Sequence, residues 1–161
     1  MKFPKLLYPS FLCLLIAGCD MIDYHPYDVH ISGETDVNAH NIAQIEQNCQ
    51  NKTTIRFVTM GDSQRWYDET DDFVSHLNKR DDIDFVIHGG DVSDFGVTDE
   101  FHLATGHYEL NSRYPMWYFS AITTAWAAGE ETYRANIRRP QFLLHCRTVK
   151  FVCLNTNAIE L

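Results

Sequence analysis

The chain has 161 residues, is 45% hydrophobic and 22% charged, and carries a formal net charge of −9 with histidines neutral. That length suffices for one ordinary core. With 22 acidic residues against 13 basic ones, no duplex nucleic acid binding is expected, since that needs a basic footprint.

Lys2 and Lys5 flank the start of the chain, and Leu6 to Ala17 is mostly apolar, with Gly18-Cys19 following. Residues 1–18 read as a signal peptide, too short for a comfortable membrane span. Ile16-Ala17-Gly18-Cys19 resembles a bacterial lipobox. It implies lipidation at Cys19 and anchoring to a membrane of a bacterial cell envelope. An ordinary signal peptide with an incidental Cys19 thiol is the alternative. Removing residues 1–18 leaves 11 of the 13 basic residues against all 22 acids. Cys49, Cys146 and Cys153 then remain, without metal-site spacing. A disulfide between two of them suits an exported protein, but no pairing follows from the sequence. Residues 19–51 read as a lipid-anchored linker, polar and aromatic-dotted over Asp20 to Asp36. Within it, Asn38 to Cys49 places Ile42 and Ile45 on one face of a short helix.

Thr54 to Met60 is rich in β-branched and apolar residues and predicts a strand, ending at Gly61-Asp62-Ser63-Gln64. Asp68 to Arg80 predicts an amphipathic helix with Phe73, Val74 and Leu77 inward and His76 on the surface. Asp84 to His88 predicts a buried strand that stops at Gly89-Gly90, with Asp91 next. Val97, Phe101, Ala104 and Tyr108 give a second helical stripe. Thr98 is its expected N-cap, with Asp99 and Glu100 in the first turn and His102 and His107 off the stripe, in solvent. Two strands thus each deliver an aspartate just past their ends. In a right-handed βαβ unit those ends share one side of the sheet. Two carboxylates brought together there repel, and a divalent cation between them relieves the repulsion.

GDSQ after the first strand and GGDVSDFG after the second resemble the calcineurin-like metallophosphoesterases, over about Lys52 to Leu161. The resemblance implies a partial metallophosphoesterase domain over 52–161, an α/β fold built as an incomplete β-sandwich flanked by helices. It implies two divalent metal ions, with manganese, magnesium, iron and zinc not distinguished. Asp62 and Gln64 would hold the first, and Asp91 would bridge the pair. Gln64 stands where the family has histidine, and its carbonyl oxygen can still bind a hard metal. Arg65 is a candidate for holding a phosphate oxygen of a phosphate-ester substrate; a structural loop with aromatic anchors is the alternative for Arg65-Trp66-Tyr67. Asp94 would cap or orient its loop. His88 is either a satisfied core histidine or a group supporting the site.

The family's Gly-Asn-His-Asp motif is due after Tyr114-Pro115, where this chain has Met116 to Trp126 without a metal-ligating or acid–base side chain. Codons for that stretch, read in a shifted frame, permit Gly-Asn-His-Asp. A shifted reading of Asn136 to Arg147 likewise permits a turn and strand leading into Val149 to Leu154. Compensated frameshifts are therefore expected in both stretches, and by the resemblance the chain covers half to two thirds of a domain. With its motifs intact, such a site hydrolyses phosphate esters with a metal-bound hydroxide. With three candidate ligands and no catalytic acid, the chain as written is expected instead to be an inactive fragment with at most weak metal or ligand binding.

Overall fold

The computed structural model describes residue 25 and residues 28–119, 129–137 and 141–154. Residues 1–18, read as a signal peptide, together with Cys19 and residues 120–128, lie outside the described residues. In chain order the elements are α1 (Val37–Cys49), β1 (Phe57–Met60), α2 (Tyr67–Leu77), β2 (Phe85–His88), α3 (Thr98–Glu109), β3 (Met116–Tyr118), α4 (Gly129–Asn136), β4 (Phe142–Cys146) and β5 (Val149–Cys153). They form a mixed α/β fold. One sheet has the order β1-β2-β3 with both pairs parallel, and β4-β5 is a separate antiparallel hairpin. Among the described residues no helix is long and apolar enough to cross a membrane.

β2 is central and buried at every position, as its unbroken apolar run requires. The first strand is shorter than its composition predicts. Before Phe57 the chain is occupied by Asp84: the Arg56 N–H donates to its carboxylate at 2.7 Å, and Lys52 forms an ion pair with it. Asp84 is 6% exposed, so these partners are what allow its charge to be buried.

The sheet is covered on both faces. Val86, Met116 and Tyr118 point to one side and meet Val74 and Leu77 of α2, Phe101 and Tyr108 of α3, and Tyr133 of α4. Phe85, Ile87 and Trp117 point to the other and meet Ile45 and Cys49 of α1 and Leu144, Cys146 and Cys153 of the hairpin. That alternation is the period-two geometry of strands.

α1 closes the free edge of β3. Asn38 Nδ2 donates to the Tyr118 carbonyl at 2.8 Å while its Oδ1 accepts from the Tyr118 N–H at 2.9 Å. Asn41 Nδ2 donates to the Met116 carbonyl at 2.7 Å. Two asparagine side chains thus stand in for a further strand. A disulfide between Cys49 and Cys146 fastens the end of the same helix to β4, and Cys153 is a buried free thiol.

Three local expectations are corrected. Thr98 is not the N-cap of α3. It is the first helical residue, Val97 precedes it without a side-chain cap, and the Thr98 hydroxyl instead accepts from the His30 N–H at 3.2 Å. Nor are His102 and His107 simply solvated. His102 bonds Asn136 at 3.0 Å, and His107 bonds Asp71 at 2.9 Å and stacks on Tyr67. Helical periodicity identifies only the core-facing stripe, and these histidines sit at its flanks, where neighbouring helices reach them.

Candidate functional site

β1 and β2 run side by side with Met60 opposite His88, so both chains leave the sheet at one edge, where open α/β sheets place ligands. Their loops are stitched together. The Gly89 N–H donates to the Met60 carbonyl at 2.7 Å, the Asp62 N–H to the Gly90 carbonyl at 3.3 Å, and the Gln64 N–H to the Asp91 carbonyl at 3.2 Å.

Asp62 and Asp91 both adopt left-handed backbone, with φ of 55° and 53°. Aspartate tolerates that region better than most residues, yet each such position costs about 1 kcal/mol. The glycine freedom is used at Gly90, where φ is 111°. A Cβ on Gly89 would stand 3.5 Å from the Met60 carbonyl oxygen, an ordinary contact.

The two carboxyl groups meet. A hydrogen-bonding contact with Asp91, the charge of Asp91 and slight desolvation, in that order, raise the Asp62 pKa above its ordinary value. Asp62 is exposed and Asp91 half-buried. Carboxyl groups in such contact share a proton or repel one another.

His88 sits beneath them, 1% exposed. Its Nδ1 accepts from the Gly90 N–H at 3.2 Å, so the ring proton lies on Nε2, which faces the Ser63 hydroxyl at 2.8 Å. Burial lowers its pKa to about 4, against an opposing pull from Asp91. A neutral imidazole therefore ties the loop carrying Asp62 to the loop carrying Asp91. Ser63 was invisible as a functional candidate in the sequence; its burial and its distance to His88 are tertiary facts.

Arg65 and Asp94 form an ion pair at 2.6 Å, with Arg65 72% and Asp94 16% exposed. The pair links the same two loops from outside. Gln64 is half-buried and lies against Asp91 through its backbone bond. Cys19, the candidate lipidation residue, is outside the described residues.

Among the described residues, no group of three or more histidine, cysteine, aspartate or glutamate side chains comes together in a way that could hold a metal ion. Two carboxylates, with Gln64 on the same loop as Asp62, are oxygen groups of the kind a hard cation prefers. No family model matches the chain, and no curated protein or solved structure is significantly similar to it.

Proposed function

We propose that Asp62 and Asp91, helped by Gln64, hold a single divalent cation weakly, and that the chain does not hydrolyse phosphate esters as written. The observation that carries this reading is the contact between the two carboxyl groups, which raises the Asp62 pKa. When both groups are ionised their charges oppose one another, and a bound cation offsets that part of the contact.

The order of strand, Gly-Asp loop, helix, strand and Gly-Asp loop supports descent from a metallophosphoesterase-type sandwich. Turnover is disfavoured by the donor set. A dinuclear centre needs further ligands, and a leaving oxygen needs an acid. Arg65 would have to leave Asp94 before gripping a phosphate bidentately. Export to an oxidising, membrane-anchored setting belongs to the same proposal, supported by the lipobox-like Ile16 to Cys19 and by the Cys49–Cys146 disulfide.

The test is a manganese titration of the full chain by calorimetry, with p-nitrophenyl phosphate and its bis-ester as substrates. Binding with a dissociation constant of roughly 10⁻⁴–10⁻³ M is expected, as for weak oxygen-ligated sites. Asp91→Asn abolishes it, and neither ester is turned over above background. Absence of manganese binding removes the cation site. Robust hydrolysis lost in Asp91→Ala restores the phosphoesterase reading.

A further inference from the structure

A second cleft lies away from the paired aspartates. It opens between α3 and the segment leading into α1, with α4 at one end. Its volume is about 240 Å³, and Glu34, Val37, His102, Thr105, Glu109 and Leu110 line it. Drug-sized ligands occupy sites of roughly 300–1,000 Å³, so this one suits a smaller molecule.

The polar groups of the wall are turned to accept hydrogen bonds. Glu109 Oε1 accepts from Asn41 Nδ2 and from the Tyr118 hydroxyl, both at 3.0 Å. Glu109 Oε2 accepts from no described group. Thr105 spends its hydroxyl proton on the Phe101 carbonyl at 2.7 Å. Asn136 Nδ2 donates to the Thr132 carbonyl, so its Oδ1 faces His102 and takes the Nε2 proton. That leaves His102 Nδ1 as an acceptor. Glu34 adds a second, exposed carboxylate, one oxygen of which is paired with His40 Nδ1 at 2.8 Å. Val37 and Leu110 supply the apolar part of the wall.

Such a wall offers an anion no donor, and a neutral alcohol with one O–H leaves most of its acceptors unmet. A metal ion is disfavoured, because no three suitable side chains converge among the described residues. An ammonium group needs less: three N–H donors find acceptors, and a short alkyl chain covers Val37 and Leu110. We propose that this cleft binds a small organic cation, a primary ammonium with a short alkyl chain, with Glu109 as its counter-ion.

Binding ionises Glu109 and releases its proton to solvent. Burial raises its pKa to about 7. The groups around it are Glu34 from the leading segment, itself paired with His40 of α1, Asn41 from α1, Tyr118 from β3 and Tyr108 on α3.

The experiment is calorimetry with propylammonium chloride on the full chain, using 1-propanol as the neutral control. Propylammonium should bind, propanol should not, and affinity should be about tenfold higher near pH 8 than near pH 6, following ionisation of Glu109. Repeating the titration in buffers of different ionisation heat should reveal proton release. Glu109→Gln keeps an acceptor for Asn41 and Tyr118 and should lose binding. Gly106→Leu is the second variant. Gly106 lines the cleft, and a Cβ there meets nothing within 4 Å, so leucine should fill the cleft without disturbing the core. Propylammonium binding no tighter than propanol, or surviving in both variants, overturns the proposal. Loss in Gly106→Leu but not in Glu109→Gln leaves a merely apolar cleft and overturns the ammonium assignment.

Discussion

The Cys49–Cys146 disulfide closes a loop with a sequence separation of 97 residues, spanning the whole parallel sheet. Chain-entropy arithmetic for a loop of that length gives about 4.7 kcal/mol of stabilisation at room temperature, mostly by constraining the unfolded chain. Against a typical total of about 5–15 kcal/mol, losing it leaves little margin. The perturbation is Cys49→Ala with Cys146→Ala. Both arms should carry Cys153→Ala, because unfolding exposes that thiol and lets it exchange with the disulfide. Urea unfolding can be followed through Trp117, which lies in the same core cluster and 4.7 Å from the Phe142 ring. The midpoint should fall steeply, and the urea slope should rise as the unfolded chain expands. Two sulfur atoms also leave the core, so the measured loss sets an upper limit on the loop term. An unchanged midpoint refutes the loop-closure reasoning. Reactivity of all three thiols, Cys49, Cys146 and Cys153, in the unfolded, unreduced wild type refutes the bond itself.

Glu109 makes stability depend on pH with a definite sign. Its folded pKa is raised from 4.5 to about 7, so its contribution is fully present below the unfolded pKa and is lost as pH rises through about 7. The difference is on the order of 3 kcal/mol at most, and Glu109→Gln should flatten urea midpoints measured near pH 5 and pH 8. Asn38→Ala should leave the Tyr118 N–H without a partner, while the Tyr118 carbonyl keeps the Tyr133 hydroxyl at 2.8 Å. A loss of about 1–3 kcal/mol is expected. Faster hydrogen exchange at the Tyr118 amide checks it, and unchanged exchange would show that the edge is satisfied some other way.

Much of the fold was legible wherever one face of an element is buried. Phe85, Val86 and Ile87 announced a central strand. Phe73, Val74 and Leu77 announced a helix, although α2 ends at Leu77 rather than Arg80. The strand ends bearing Asp62 and Asp91 were legible from Gly-Asp steps. α1 was less so. Its core face is partly asparagine, with Asn38 0% and Asn41 6% exposed, and a hydrophobic-periodicity reading discounts such residues. The disulfide pairing, the Ser63–His88 contact and the acceptor-lined cleft depend on elements far apart in sequence. No local pattern encodes them. Met116 to Tyr118, at the start of the stretch where a frameshift is expected, forms β3 paired with β2. Any short apolar run can complete a parallel sheet that already has a strand to pair with.

The paired aspartates make little sense as structure alone. Each holds a left-handed backbone that glycine would adopt without penalty. Their carboxyl groups meet at an exposed edge, where solvent could have kept them apart, and the contact raises the Asp62 pKa. An acid whose folded pKa is raised lowers stability as pH climbs past its unfolded value, so at neutral pH the arrangement opposes folding. It persists because His88, the Gly89–Met60 bond and the Arg65–Asp94 pair hold the two loops in register from below and from outside. Strain held by several restraints supports the cation site proposed above. Asp91→Asn should therefore return Asp62 toward its ordinary pKa and steady the fold at neutral pH while removing manganese binding. A carbon-detected titration of the Asp62 carboxyl reads the first effect. If that titration is the same in Asp91→Asn as in the wild type, the two groups do not communicate and the site has no physical basis.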